Sequence, residues 1–173
     1  MTDQRIYIAC LAAYNASILH GGWIDANQPA ETIDTAVRKI LATSPVSGAE
    51  EWAIHDYEGF GSLRLSEWES FERVSDIASG IALHGPAFAA WLAHDSSRDP
   101  ADVDGFCDSY RGEWRSLRHF AEDYADSIGL YELAESAESS YVTVDIEMLV
   151  RDLDIELYTV ESERGIYVFD PNV

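Results

Sequence analysis

The spacing of hydrophobic residues in the first third of the chain predicts a small β-sheet covered by one helix. Runs rich in Ile and aromatic residues, which are typical of strands, occupy residues 5–12, 17–26 and 51–57. After the second run, which Gly21 and Gly22 interrupt, Pro29 stands where a first-turn proline belongs. Apolar residues follow it at helical spacing, at Ile33, Val37, Ile40 and Leu41. The pattern ends near Gly61, and we therefore predict an N-terminal α+β domain over residues 1–61.

The next segment carries the spacing of two helices. Ser66 and Glu69 have the pattern of a capping box, in which each side chain bonds the other residue's backbone N–H. We therefore predict a helix over residues 66–83, with an apolar stripe at Trp68, Phe71, Val74 and Ile77. Pro86 begins a shorter helix that runs through Ala93, and a polar linker follows at residues 94–102. These elements predict a helical middle domain over residues 62–103.

The last part of the chain, residues 104–173, combines helical and strand patterns. The strongest helix covers residues 117–128, and shorter ones are predicted at residues 103–110 and 130–137. Asp145 is placed to cap a further helix with apolar residues at Ile146, Leu149, Val150 and Leu153. Residues 155–160 and 165–169 alternate like the strands of a β-hairpin. The chain therefore belongs to the α+β class, and this last domain is α+β as well.

A large negative charge changes what this fold is expected to do. The chain has 32 Asp and Glu against 11 Lys and Arg, a net charge of −21, yet 47% of its residues are hydrophobic. That apolar content is too high for a disordered acidic tail, so the charge coats a folded protein. Residues 104–173 hold 17 acidic and 5 basic residues, a net of −12, and residues 1–103 carry the other −9. The surplus negative charges repel one another, which costs stability. A partner with a strongly positive surface would offset this cost.

The sequence offers little for catalysis or metal binding. His55, Asp56 and Glu58 are close in sequence, but one His and two acids more often mark an ordinary strand end than a site. Phosphate-binding loops, a nucleophile elbow and an HExxH pattern are all missing from the sequence. The two cysteines, Cys10 and Cys107, are predicted to be buried free thiols in a reducing compartment. We therefore predict a protein that is not an enzyme and that needs no cofactor or metal.

Targeting signals are also missing from the sequence. The first residues do not have the basic start and long apolar run of a signal peptide. The most apolar stretch, residues 77–92, is broken by glycines and a proline, so it is predicted to form packed helices and not a membrane span. We therefore predict a cytoplasmic protein.

Several acids recur at helical spacing. Glu132, Glu135 and Glu138 are three residues apart and would form one negative row on a helix, where such neighbours lie about 5–6 Å apart. Glu122 and Asp126 are four apart and share a face. We interpret any one pair as an ordinary solvated helix face. We do not extend this interpretation to the whole set, because few cations are interleaved with these acids. Duplex DNA carries one charge per about 1.7 Å, so a net charge of −21 matches roughly 36 Å of DNA.

Four stretches of the chain resemble the ArdA-type antirestriction family. They are IYIACLAAYNASILHGGWIDA at residues 6–26, EEWAIHDYEGFG at 50–61, LSEWESFE at 65–72 and VDIEMLVRDLDIELYTVESERGIYVF at 144–169. The resemblance implies an elongated, three-part α+β molecule that forms a homodimer and is carried by mobile genetic elements. It also implies a B-DNA mimic that occupies the DNA-binding groove of Type I restriction–modification enzymes and blocks restriction and modification.

The resemblance also implies which residues meet the partner. The antirestriction motif of the family best matches residues 130–147, and Thr143 and Val144 stand there where aromatic residues are expected. Together with the helical rows, it nominates a set of DNA-mimicking acids: Glu67, Glu69, Glu72, Asp76, Asp104, Asp108, Glu113, Glu122, Asp123, Asp126, Glu132, Glu135, Glu138, Asp145 and Glu147. The expected partner is the methyltransferase core of a Type I enzyme, without direct binding of nucleic acid. The alternative is a generic acidic module that sequesters another basic DNA-binding protein.

Overall fold

The computed structural model describes residues 3–137 and 141–173. It divides into two compact units, unit 1 up to Val103 and unit 2 from Asp104 onward. Each unit contains a three-stranded antiparallel sheet with helices packed on it. The mixed α+β class predicted from the sequence is therefore confirmed, including a C-terminal β-hairpin. The finer division of residues 1–103 at residue 61 stays a prediction.

Unit 1 alternates strands and helices before it ends in two consecutive helices. Its elements are β1 (Arg5–Cys10), α1 (Leu11–Asn15), β2 (Gly21–Asp25), α2 (Ala30–Ala42), β3 (Trp52–Glu58), α3 (Phe71–His84) and α4 (Pro86–His94). The strand order is β2-β1-β3. Ile6, Ile8 and Cys10 of the central strand are fully buried, as period-2 alternation requires of one sheet face. Ile33 and Val37 of α2 are buried too, so the predicted covering helix is present.

The first strand and the second are shorter than predicted. The strand predicted over residues 5–12 ends at Cys10, and α1 follows without a break because Leu11 to Ala13 are good helix formers and Ala13 is fully buried. The strand predicted over residues 17–26 begins only at Gly21. Ser17 has a positive φ of 60°, and the N–H of Ile18 bonds the Ala13 carbonyl, so this segment closes α1 instead of extending the sheet.

The helix predicted to begin at Ser66 begins five residues later. The Ser66 N–H does donate to Glu69 Oε2 at 3.3 Å, as a capping box requires, but this bond closes only a turn. The carbonyl of Glu67 accepts from the N–H of Ile54 on the edge strand β3, at 2.9 Å. That bond uses the carbonyl that would accept from the Phe71 N–H if the helix began at Ser66. Ser70 then caps α3 by accepting from the Arg73 N–H at 3.2 Å.

Close packing between α3 and α4 depends on Gly80. A Cβ at this position would lie 2.2 Å from Cε1 of Phe88, which is fully buried. The absent side chain therefore leaves the space that the Phe88 ring fills. Gly85, with a φ of 76°, makes the turn between the two helices.

Unit 2 builds a second sheet with helices beside it. Its elements are α5 (Val103–Ser109), β4 (Tyr110–Trp114), α6 (Leu117–Ser127), α7 (Leu130–Ser136), α8 (Ile146–Glu156), β5 (Tyr158–Ser162) and β6 (Gly165–Phe169). The strand order is β4-β6-β5, with β6 in the centre. Helices α6 and α8 pack on each other, and Phe120, Ala121 and Leu153 form a core cluster there with Val168 of β6. Both cysteines are free, but the prediction that both are buried is wrong, because Cys107 of α5 is exposed while Cys10 is buried.

Two features of this sheet differ from the prediction. Strand β4 was not predicted, and residues 103–110 were expected to be helical throughout. Its sequence, YRGEW, lacks the period-2 alternation of a regular strand. The pairing with β6 is irregular between Tyr110 and Glu113, where Gly112 has a φ of 104°. The strand predicted over residues 155–160 is shifted to Tyr158–Ser162. Helix α8 continues to Glu156 and keeps Ile155 on its outer side, where it is 84% exposed.

Candidate partner-binding surface

The acidic side chains lie at the protein surface. Among the residues that the structure describes, no Asp or Glu is buried; the buried polar residues are Gln4 and Ser109. An ionised carboxylate loses much hydration when it is buried, which explains this placement. The charge of the chain is therefore available to a partner.

Helix α6 separates its apolar and acidic faces. Phe120, Ala121 and Ala125 are buried, while Asp123 and Asp126 are exposed on the opposite side and Glu122 is half-buried. Ser116 caps the helix by accepting from the His119 N–H. Because Asp123 and Asp126 are three residues apart, they form an adjacent pair of outward carboxylates.

Helix α7 buries fewer residues than α6 or α8. It follows Gly129, which has a left-handed φ of 73°, and none of its residues is buried. Glu132 and Glu135 are exposed and three residues apart, so they lie on one side of the helix. Leu133, which is 64% exposed, and Tyr131 add apolar surface beside them. Glu138, the third member of the predicted row, lies outside the described residues.

Helix α8 brings a third group of acids to unit 2. Asp145 caps its first turn, since Oδ1 accepts from the Met148 N–H at 3.0 Å, and the residue remains exposed. Glu147 is exposed in the same turn. Further exposed acids, which were not nominated from the sequence, lie on α8 and on the β5–β6 hairpin, at Asp152, Asp154, Glu156, Glu161 and Glu163. The sequence carries a signal for Asp152, because this residue falls on an outer position of the α8 helical wheel, away from its apolar residues.

Arg118 joins α6 to α8 through two carboxylates. Its Nε lies 3.0 Å from Glu122 Oε1, and its Nη1 bonds Glu147. The hydrogen bond that Arg118 donates to Glu147 is the largest cause that raises the pKa of Arg118, followed by the charge of Glu147 and the bond that Arg118 donates to Glu122. Two of the nominated acids are therefore partly neutralised by the chain itself.

The other nominated acids of unit 2 stand at its first helix and strand. Asp104 and Asp108 of α5 and Glu113 of β4 are exposed. Glu113 accepts a hydrogen bond from the Ser162 hydroxyl at 2.7 Å, which ties β4 to the end of β5. These acids come from elements other than the three acidic helices, so the charge of unit 2 extends over several of its elements.

The nominated acids of unit 1 lie on α3 and on the turn before it. Glu67, Glu72 and Asp76 are exposed, and Glu72 and Asp76 are four residues apart on α3. Glu69 is half-buried and is engaged by the Ser66 N–H and by Arg73, whose Nε lies 3.7 Å from its Oε1. Glu69 is therefore held by its own neighbours.

Ion pairs neutralise only a small part of this charge. Within residues 3–137 and 141–173, ion pairs engage the carboxylates of Asp34, Glu58, Glu69, Glu122, Glu147 and Asp170. The nominated acids outside these pairs are Glu67, Glu72, Asp76, Asp104, Asp108, Glu113, Asp123, Asp126, Glu132, Glu135 and Asp145. Of the 14 nominated acids that the structure describes, 11 are thus outside these ion pairs.

A comparison with protein families assigns this acidic chain. The model of the family described as "Antirestriction protein (ArdA)" matches residues 6–168. The chain belongs to the ArdA antirestriction family. The match spans both units and includes every nominated acid, and membership implies an interaction with restriction enzymes in general. A comparison with curated proteins finds no match.

The ArdA chain does not bring His55, Asp56 and Glu58 together as a site. His55 packs edge-on against Tyr14 at 4.9 Å, Asp56 accepts from the next N–H along the strand, and Glu58 pairs with Arg5. The described part of the chain contains no cluster of three His, Cys, Asp or Glu residues that could hold a metal ion. Within the same residues, no helix is both long and apolar enough to cross a membrane.

Proposed function

We propose that this ArdA protein inhibits Type I restriction–modification enzymes by mimicking B-DNA. The observation that carries the proposal is the set of exposed carboxylates of unit 2 that no described cation pairs. Residues 104–173 carry 17 acids against 5 bases, and three of these acids are ion-paired in the described residues. A surface of this kind presents to an enzyme what a row of phosphates would present.

The proposed mechanism is competitive occupation of the DNA-binding groove. Lys and Arg side chains that bind duplex phosphates also bind carboxylates, with charge-assisted hydrogen bonds in both cases. Many such contacts, each weak alone, would keep the DNA out of the groove. Because binding depends on charge, it should weaken as salt rises.

The proposed binding site on the enzyme is its methyltransferase core. A mimic bound there would block modification as well as restriction, because both activities require the DNA to occupy that core. The protein itself would perform no chemical step and would need no cofactor. It would also act without binding nucleic acid, since its surface charge has the same sign as that of DNA.

We further propose that the protein acts as a homodimer, as the family resemblance implies. One chain matches the charge of roughly 36 Å of duplex, and two chains would match about twice that length. Sedimentation at micromolar concentration tests this part of the proposal. A monomer would remove the dimer and the longer footprint, and would leave the competition mechanism in place.

The decisive experiment is a pull-down of a purified Type I methyltransferase core with this protein, using duplex DNA as the competitor. We expect the protein to capture the core, and DNA to release it in proportion to its concentration. A nucleoid protein with a strongly basic surface serves as the control. Equal capture of both proteins would favour a general acidic sequestering module, and capture of the core without competition by DNA would contradict mimicry.

A further inference from the structure

Arg118 holds an exceptional position in the acidic surface of unit 2. Its guanidinium contacts carboxylates on two helices, Glu122 one turn along α6 and Glu147 at the start of α8. The three side chains are 49%, 42% and 70% exposed. The contact therefore lies on the surface that we propose for the partner, and it does not belong to the core.

The contact changes how much charge this part of the surface offers. Two free carboxylates would present a charge of −2, whereas the three side chains together present −1. A cation from a partner that approaches Glu122 or Glu147 is repelled by Arg118 and must also replace its hydrogen bonds. The exposed acids on the outer face of α6, Asp123 and Asp126, have no such competitor in the described residues.

We propose that Arg118 is a built-in competitor of the partner's cations, which masks Glu122 and Glu147 and lowers the affinity of the acidic surface. This inference rests on the proposed function. It divides the nominated acids of unit 2 into the masked pair, Glu122 and Glu147, and the open acids, which no described cation pairs. Masking also offsets the repulsion that Glu122 and Glu147 would exert on each other across the junction of α6 and α8.

A purely structural brace would make the same contacts, but the two roles predict opposite results when Arg118 is removed. If Arg118 only braces the helices, its loss distorts the surface and weakens binding. If it masks carboxylates, its loss frees two of them and strengthens binding at low salt. The direction of the change in affinity therefore separates the two roles.

The principal variant is Arg118→Gln, and its matched control is Arg115→Gln. Both remove one positive charge close to the start of α6, but Arg115 is exposed and pairs with no carboxylate in the described residues. Arg118→Lys keeps the net charge but loses the planar fork that holds two carboxylates at once. A gain from the Lys variant would therefore not come from net charge.

Two probes report binding, a fluorescent oligolysine peptide and DNA cleavage by a Type I restriction enzyme. We expect Arg118→Gln to bind and inhibit about 3- to 10-fold more tightly than wild type at low salt, which is the scale of one or two exposed ion pairs. Arg115→Gln should gain less than about 2-fold, and Arg118→Lys about 2-fold. High salt should remove these differences.

A second background tests whether the two carboxylates are the masked groups. In a chain that carries Glu122→Gln and Glu147→Gln, adding Arg118→Gln should gain no more than Arg115→Gln does. The masking proposal is overturned if Arg118→Gln retains its thermal stability and binds no better than wild type, or if Arg115→Gln shows the same gain. If Arg118→Gln does not fold, Arg118→Lys decides by the same criterion.

The two probes also separate this inference from the proposed function. If wild type fails to inhibit the restriction enzyme, the proposed function fails. Masking still stands in that case, provided that Arg118→Gln binds oligolysine more tightly than Arg115→Gln does. If wild type inhibits the enzyme and Arg118→Gln gains nothing with either probe, the proposed function stands and masking is wrong.

Discussion

The two units differ in how many hydrophobic residues they bury and in how much negative charge they carry. Among the described residues, 23 buried hydrophobic residues lie in unit 1 and 8 in unit 2, in segments of 103 and 70 residues. Unit 1 carries a net charge of −9 and unit 2 a net charge of −12. Helix α4 of unit 1 buries six of its nine residues, whereas α7 of unit 2 buries none of its residues. The comparison indicates that unit 1 gains stability from its core, while unit 2 gives up core residues for an acidic surface.

The largest expected effect is on the core of unit 1. Phe88→Ala should lower the free energy of unfolding by about 3–5 kcal/mol, because it removes a fully buried ring that fills the space beside Gly80. The control is Leu83→Ala on α3, where the side chain is 74% exposed and the cost should stay below about 0.5 kcal/mol. Denaturant unfolding measures both. Similar costs for the two variants would show that the core does not dominate this unit.

The next largest expected effect is on inhibition, and it concerns acids of unit 2 that no described cation pairs. Replacing Asp123, Asp126, Glu132 and Glu135 together by their amides should weaken inhibition of a Type I enzyme at least about 10-fold at low salt. Each single replacement should change it by no more than a few-fold, because exposed charge pairs contribute little alone.

A matched set of exposed acids in unit 1 provides the control for that variant. It removes the same number of charges through amides at Asp3, Glu31, Glu50 and Glu51. If the control set weakens inhibition equally, net charge and not the surface of unit 2 determines binding. Abolition of inhibition by one Glu→Gln change would instead identify a single dominant contact.

A smaller effect is expected from salt on stability. Added salt screens the repulsion among the carboxylates, so the melting temperature should rise by about 2–5 °C between low and moderate ionic strength. The four-amide variant of unit 2 should start from a higher melting temperature and respond less to salt. A melting temperature that falls with added salt would show that ion pairs outweigh the repulsion.

The smallest predicted effect tests an acid that unit 2 uses for its own stability. The N–H of Asn172, and then Arg111, lower the pKa of Asp170 below its ordinary value of 3.8. Because the pKa of Asp170 is lower in the folded protein than in the unfolded chain, its ionised carboxylate stabilises the fold above pH 3.8. This contribution is lost as the pH falls through 3.8 towards the folded pKa.

Asp170→Asn should therefore lower the free energy of unfolding by about 0.5–1 kcal/mol at neutral pH. It should have no effect once the pH is below the folded pKa of Asp170. Unfolding measured across a pH series checks the difference, with Asp108→Asn, an exposed acid of α5, as the control. A cost that stays constant with pH would show that the charge of Asp170 is not its source.

The sequence predicts those elements whose pattern is local. The buried residues of β1, the helix spacing of α2 and α6, and the Asp145 cap all appear in the structure. Strand β4 could not be predicted, because its irregular pairing around Gly112 removes the alternation. The true start of α3 depends on a bond between Glu67 and Ile54, and local sequence carries no signal for it.

The acids of the candidate surface follow the same distinction. Outward positions on α6 and α8 can be placed from helical periodicity, because apolar residues mark the opposite face. The pairing of Glu147 with Arg118 could not be predicted, since the two residues are 29 positions apart and meet only when α6 packs on α8. Sequence therefore locates acids on faces, but it does not tell which of them are already occupied.

The bond between Glu67 and Ile54 has a consequence for aggregation. An uncovered strand edge is a template on which other chains can add strands. The negative charge of the surface disfavours such strand addition between chains, but a basic partner that neutralises the carboxylates would remove this protection. At Ile54 the edge of β3 is already occupied by the chain's own backbone. The molecule thus keeps, at this point of its sheet, a barrier to intermolecular strand addition that does not depend on charge.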